Sequence, residues 1–201
     1  DFIFFRFLYL GECVVNQRNV FELMHAAKRF QLPDLQAHCA NSKLLNLNKR
    51  NVGDLTEQAL NFGDKKFLAE CLQYFAQNAA VVIKCEQFLE ISLETLVAFS
   101  GVKERSCKEL EFFKACIRWS DVECQRRKLE KTPENQRAVL GDVLSKLEFS
   151  EMGEEDFLEF VAPLEILPEE VIGKHVVGWK KKKKCPNWTE EVEITVENYT
   201  Y

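Results

Sequence analysis

Apolar residues recur every three to four positions through most of this 201-residue chain. Such spacing places side chains along one stripe of an α-helix. One segment shows the pattern clearly, with four apolar residues on a single face before a Gly63-Asp64 break: Val52, Leu55, Ala59 and Phe62. Between residues 51 and 177 the pattern predicts a mainly α fold with at most one short strand.

Polar residues that start helices stand between these apolar segments. Asn51, Ser92 and Thr132 are predicted N-caps, and Thr132 is followed by a proline at the first helical position. Ser106 is predicted to cap the longest helix, with Glu109 as the second residue of a capping box. Short turns between helices favour a stack of helical hairpins, although no fixed period typical of a solenoid is evident.

Apolar residues cover more than half of the circumference of the longest helix, which predicts a central position with Trp119 buried. The helix that follows Asp64 is predicted to end at Asn78. The helix that starts after Thr132 is predicted to run through Leu147.

Two short stretches favour β structure. Cys13-Val14-Val15 predicts a short strand near the start of the chain, and alternation over residues 192–196 predicts an isolated strand at the C-terminus. The run Lys180–Lys184 is interpreted as a solvated linker, and a nuclear-import or acidic-lipid patch is the alternative.

Composition excludes several classes of function. The net charge of −5 argues against a general nucleic-acid binder, and the apolar runs are too short to cross a membrane. Eight cysteines without Cys-x-x-Cys pairs indicate reduced thiols in a cytoplasmic protein, with the nucleus as a further location. His25 and His38 lack a second ligand four residues on. We therefore expect no metal, no cofactor, no catalytic residue and no enzymatic activity.

Two motifs near the start of the chain resemble a known family. Residues 7–12 read Phe-Leu-Tyr-Leu-Gly-Glu, and an amphipathic helix follows from Val20 to Phe30. Together they resemble the C-terminal half of a BTB (POZ) domain, which implies that residues 1–46 are the C-terminal portion of that domain. The resemblance also implies that the N-terminal half of the domain is absent from this sequence.

The part of the chain after residue 46 resembles a BACK domain in the order and spacing of several sequence segments: Asn51-Val52, Leu68–Asn78, Phe88–Ser92, Glu109–Ala115, Thr132–Asn135 and Val161–Pro163. The sequence of these segments most resembles that of BTB–BACK proteins that carry a C-terminal PHR β-sandwich. The resemblance implies a BACK domain over residues 47–177, including its first helix pair, the 3-box. Residues 178–201 would then be a Lys-rich linker and the start of a further β domain.

In this family such chains act as non-catalytic substrate adaptors of cullin-3 RING ubiquitin ligases. The resemblance therefore implies binding of the cullin-3 N-terminal region, unidentified ubiquitination substrates and a homodimer formed through the full BTB domain, with no nucleic acid or membrane as partner. A structural or transcriptional BTB–BACK scaffold that recruits no ligase is the alternative.

The resemblance also implies a cullin groove, whose walls or direct support are given by seven residues: Tyr9, Asn51, Val52, Leu55, Ala59, Phe62 and Leu68. Tyr9 has two open interpretations, a cullin contact or a half-buried residue at a helix end. Met24, Phe30 and Phe62 are predicted to face the core, because helical stripes usually do. Leu55→Asp would test the groove if Leu55 is exposed.

Overall fold

The computed structural model describes Tyr9 and residues 14–16, 19–40, 46–168 and 170–173. Within these residues the chain is helical and forms no strand, which confirms the predicted mainly α fold. The chain divides into two compact units, Asp1–Met152 and Gly153–Tyr201.

The first unit consists of helices joined by short connections. The α-helices described in it are, in chain order, α1 (Val20–Arg29), α2 (Pro33–Ala40), α3 (Val52–Phe62), α4 (Lys65–Val82), α5 (Leu93–Ser100), α6 (Glu109–Arg126), α7 (Pro133–Leu140) and α8 (Val143–Lys146). Single 3₁₀ turns lie at Glu86–Leu89 and Phe149–Glu151. Successive helices pack against each other, α1 on α2 and α3 on α4, as short loops favour.

Large aromatic side chains fill the core around α6. The rings of Phe75 and Phe99 stack with centroids 3.9 Å apart, and Phe112 meets Phe75 edge-on at 6.1 Å. Trp119 is 1% exposed, which confirms its predicted burial, and its indole N–H donates to the carbonyl of Ile91 at 3.0 Å. The hydrogen bond satisfies the one polar group that burial of this ring would otherwise leave unpaired.

The same arrangement of two asparagines precedes α1 and α3. Before α1, the backbone N–H of Asn16 donates to Asn19 Oδ1 at 2.7 Å, and that of Asn19 donates to Asn16 Oδ1 at 3.2 Å. Before α3, Asn48 and Asn51 exchange the same two bonds at 2.7 and 3.2 Å. We call these pairs the asparagine boxes. The Asn51 side chain thus bonds back to residue 48, and it forms no cap bond to the first turn of α3, contrary to the prediction.

Several predicted boundaries are confirmed. Gly63 ends α3 with φ of 67°, and the Asp64 side chain then accepts the backbone N–H of Phe67 at 3.0 Å and caps α4. The hydroxyls of Ser92 and Thr132 accept backbone N–H groups at the starts of α5 and α7. Each signal involves residues within four positions of one another, so it operates wherever the helix packs.

The predicted start of α6 is also wrong. Ser106 does not cap the helix, because it lies two residues before Lys108, the actual N-cap; its backbone N–H donates to the carbonyl of Ala76 at 2.8 Å. The helix starts at Glu109 after Lys108, and Glu109 itself accepts the backbone N–H of Glu148.

Two helix ends also differ from prediction. Asn78 does not end α4, which continues to Val82 and buries Ala79 and Val82; the Asn78 amide donates to Tyr74 O within the helix at 2.9 Å. The helix after Thr132 breaks at Gly141, where φ is 48°, and does not continue unbroken to Leu147.

The predicted strand at Cys13-Val14-Val15 is not formed at its described residues. Val14 and Val15 are irregular, and the carbonyl of Val14 accepts the side-chain amide of Asn19 at 2.7 Å. This segment therefore joins the asparagine box before α1. Cys13 lies outside the described residues.

The second unit, described by itself, begins with the short helix α9 (Glu154–Asp156). A π-helical turn at Phe157–Val161 and a 3₁₀ turn at Ala162–Leu164 follow, and residues 170–173 are helical. Phe157 and Val161 are buried. The predicted Lys180–Lys184 linker and the strand over residues 192–196 lie outside the described residues.

Candidate protein-binding groove

A groove of about 690 Å³ lies between α1 and the corner that joins α3 to α4. From α1 and its end it is lined by residues such as His25 and Phe30, and from the corner by Phe62, Gly63 and Asp64. The groove therefore depends on two helical hairpins, and its shape depends on the way the corner is built.

The corner is fixed by backbone geometry. Gly63 adopts a left-handed conformation, and the backbone N–H of Asp64 returns to the carbonyl of Ala59 at 3.0 Å. Left-handed residues at helix ends are usually glycine because a Cβ is strained there. The turn presents Phe62 toward the groove and places the Asp64 carboxylate at the start of α4.

Aromatic rings form the base of the groove. Phe21 is fully buried, and its ring lies 4.8 Å from His25, 5.6 Å from Phe62 and 5.1 Å from Phe67. His25 also stacks on Phe62, with centroids 4.8 Å apart and planes inclined by 19°. Rings at these separations gain more than their area burial alone provides. The stack joins α1 to α3 and α4.

His25 faces one carboxylate across this base. Its Nε2 lies 3.6 Å from Asp64 Oδ2, beyond hydrogen-bonding distance, and this buried atom has no hydrogen bond to any residue that the structure describes. Burial lowers the pKa of the imidazole from its ordinary 6.5, and the charge of Lys28 adds to this effect, while Asp64 opposes it. Removal from water thus favours the neutral imidazole.

Charged side chains surround the aromatic base. Lys28, Arg29 and Lys65 supply positive charge, while Glu22 and Asp64 supply negative charge. The guanidinium of Arg29 lies 6.0 Å from the centroid of the Phe30 ring, within the range of a cation–π contact. An apolar centre with a charged rim is the usual composition of a protein-binding surface.

The predicted groove residues fall into two groups. Val52, Leu55 and Ala59 are fully buried, and Asn51 is 4% exposed, so they lie beneath the surface. Because Leu55 is buried, Leu55→Asp would test folding and not binding.

The other predicted groove residues differ in exposure. Phe62 is 42% exposed and lines the groove. Tyr9 is 85% exposed and Leu68 is half-buried, and neither is among the described residues that line the groove.

The prediction that Phe30 and Phe62 face the core is wrong, whereas Met24 is half-buried and packs against the buried residues of α1 and α2, as predicted. Phe30 is 54% and Phe62 42% exposed, since both stand where a helix ends and the chain turns away. Sequence analysis also missed the contributions of His25, Lys28 and Arg29 to the groove. A helical stripe shows that a face is apolar, but it does not show how far the neighbouring helix covers that face.

The two halves of the groove belong to two matched protein families. The BTB/POZ domain family matches residues 2–47, and the BACK (BTB And C-terminal Kelch) family matches residues 52–134. The chain belongs to the BTB–BACK proteins. Helix α1 lies in the BTB match and Phe62 to Lys65 lie in the BACK match, so the groove is at the junction between them.

Curated relatives support the same assignment. The chain is 28% identical over 162 residues to human BTB/POZ domain-containing protein 3, and 30% identical over 165 residues to BTB/POZ domain-containing protein 6 of Xenopus tropicalis. These matches cover 81% and 82% of this chain and 31% of each relative. The chain thus spans about a third of the length of these relatives.

BTB–BACK proteins are generally non-catalytic adaptors that mediate protein–protein interactions. In the part of the chain that the structure describes, histidines, cysteines and carboxylates form no group that could hold a metal ion. Within the same part, no helix has the length and apolar character needed to cross a membrane.

Proposed function

We propose that this chain acts as a non-catalytic substrate adaptor of a cullin-3 RING ubiquitin ligase. We further propose that the groove between α1 and the α3–α4 corner receives the N-terminal region of cullin-3. The observation that carries the proposal is the position of the groove, where the BTB and BACK matches meet and where Phe62 is exposed. In the family that this chain resembles, the BTB helices and the 3-box form the cullin groove.

The surface has the physical properties that such a contact needs. Phe62 is held by stacking on His25 and by its contact with Phe21, so little side-chain freedom remains to be lost on binding. A rigid, half-exposed aromatic ring can supply much of the binding energy of an interface. The charged rim can set the orientation of the partner.

The predicted site residues take different roles in this proposal. Val52, Leu55 and Ala59 support the corner from below, and Asn51 fixes the start of α3. Tyr9, Leu68 and Phe62 would contribute from the surface, with Phe62 as the central contact.

The wider assignment is proposed on the same grounds. It comprises residues 1–46 as BTB, 47–177 as BACK with its 3-box, and 178–201 as a linker and the start of a β domain. The protein would dimerise through the full BTB domain, recruit ubiquitination substrates in the cytoplasm or nucleus, and bind neither nucleic acid nor membrane.

The proposal is tested by titrating a cullin-3 N-terminal fragment into the full-length protein in a calorimeter. We expect Phe62→Asp to weaken binding by about 2–4 kcal/mol, because the complex would bury an unpaired charge. Val81→Asp is the matched control, since Val81 is 48% exposed on α4 and is not among the groove residues.

Circular dichroism checks that both variants remain folded. If the unmutated protein binds no cullin-3, the scaffold alternative replaces the adaptor proposal. If Phe62→Asp remains folded and binds normally, cullin-3 binds elsewhere.

A further inference from the structure

The sequence contains a repeat of two copies, 32 residues apart. Nine of the residues from 16 to 40 recur with the same identity 32 positions later: Asn16, Arg18, Asn19, Val20, Leu23, Ala27, Phe30, Ala37 and Cys39. The first copy ends in α2 and the second in α4. Two copies are fewer than a solenoid needs for stability, so the repeat does not indicate that architecture.

The structure supports the equivalence of the two copies, because they share the same hydrogen bonds and the same backbone conformation at the corner. Both begin with an asparagine box, and both reach a left-handed residue after the first helix, Gln31 with φ of 56° and Gly63 with φ of 67°. The backbone N–H of Leu32 returns to Ala27 O at 2.8 Å, as that of Asp64 returns to Ala59 O at 3.0 Å. The two corners are therefore copies of one turn.

Burial follows the same register. Val20, Leu23, Ala27 and Cys39 are at most 2% exposed, and their counterparts Val52, Leu55, Ala59 and Cys71 are fully buried. The phenylalanine position differs from these, since Phe30 and Phe62 are 54% and 42% exposed. In each copy, part of the large apolar side chain at the corner is exposed to solvent.

Both corner phenylalanines line the same groove. From this we infer that the groove is a double site, with one apolar subsite at Phe30 and a second at Phe62, which bind two apolar side chains of a single partner segment. The inference rests on the proposed function and adds Phe30, on the BTB side, as a second anchor.

The two subsites differ in charge, which gives the bound segment a direction. Lys28 and Arg29 directly precede Phe30 and make that side positive, while Asp64 and Lys65 follow Phe62 and carry opposite charges. We therefore expect the partner segment to carry an acidic residue next to the apolar residue that meets Phe30.

The test uses the full-length protein and a cullin-3 N-terminal fragment, with Phe30→Ala, Phe62→Ala and the double variant measured by calorimetry. We expect each single change to lower affinity about tenfold and the double change about a hundredfold, because separate subsites contribute additively. Val81→Ala is the control for removing an exposed apolar side chain outside the groove. Phe30→Glu provides a second variant at the same position.

The outcomes separate the inference from the proposed function. Unchanged affinity in folded Phe30→Ala and Phe30→Glu, with binding by the unmutated protein intact, would overturn the second subsite and leave the adaptor proposal standing. A double variant no weaker than Phe62→Ala alone would do the same. No binding by the unmutated protein would overturn the adaptor proposal and this inference with it.

Discussion

Phe21 and Phe62 are neighbouring aromatic side chains with different roles, one in stability and the other in the proposed binding. Phe21 is fully buried and contacts three rings, and Phe62 rests on it with part of its own ring exposed. Burial of Phe21 contributes to stability through the apolar area removed from water. The exposed part of Phe62 makes no such contribution in the free chain and remains available for a partner.

His25 should make the stability of the chain depend on pH. Burial lowers the pKa of its imidazole below 6.5, so the folded chain takes up a proton less readily than the unfolded chain. Stability is therefore complete above the unfolded pKa and declines as the pH falls below it. We expect His25→Gln to lose less stability than the unmutated chain when urea denaturation is compared at about pH 7.5 and about pH 5.5.

His38→Gln, at an exposed position of α2, controls for the removal of one histidine. Equal losses of stability in His25→Gln and the unmutated chain would contradict a lowered pKa in the folded state.

At the scale of whole elements, the corner between α3 and α4 places a specific demand on the sequence at Gly63. Gly63 is exposed, and a Cβ built on it would meet no atom within 4 Å. The constraint on this residue is therefore its φ of 67°, not a lack of space. Gln31 occupies the equivalent position after α1 with a side chain present, which shows that the turn tolerates strain when the helices hold it.

Gly63→Ala should lower the free energy of unfolding by about 1 kcal/mol, because alanine is strained in the left-handed conformation. Gly153→Ala is the matched control, since its φ is −63° and the nearest atom to a new Cβ lies 3.6 Å away. Chemical denaturation would measure both changes. A Gly63→Ala variant as stable as the unmutated chain would show that the corner does not require this conformation.

At the scale of the whole molecule, the sequence predicted structure best where a residue and its bonding partner lie close together along the chain. Ser92, Thr132 and Gly63 act through partners within four residues, and their roles could be predicted. The roles of Ser106 and Glu109 could not be predicted in this way: Glu109 pairs with nearby Arg105, but it also accepts from Glu148, 39 positions away, and Ser106 donates to Ala76, 30 positions away. The exposure of the groove residues could not be predicted either, since it depends on how far α1 and α3, which are distant in sequence, cover each other.

The cysteines offer a probe of folding across the first unit. Burial raises the pKa of Cys71 to about 12 and also raises that of Cys116, and both side chains are fully buried. Cys85 is only half-buried. We expect maleimide at neutral pH to modify Cys85 in the native chain well before Cys71 or Cys116, because the thiolate is the reactive form.

Peptide mapping by mass spectrometry would compare the native chain with the chain in denaturant, where all three thiols should react alike. Rapid modification of Cys71 or Cys116 under native conditions would contradict their burial.

The asparagine boxes also bear on the order of events during folding. Each box closes between residues three positions apart, and loops of this size form far faster than helices can find one another. We expect α1 and α3 to acquire their starting points before the two hairpins meet. The register of each hairpin would then be set early, and the groove would form late, when the second hairpin docks on the first.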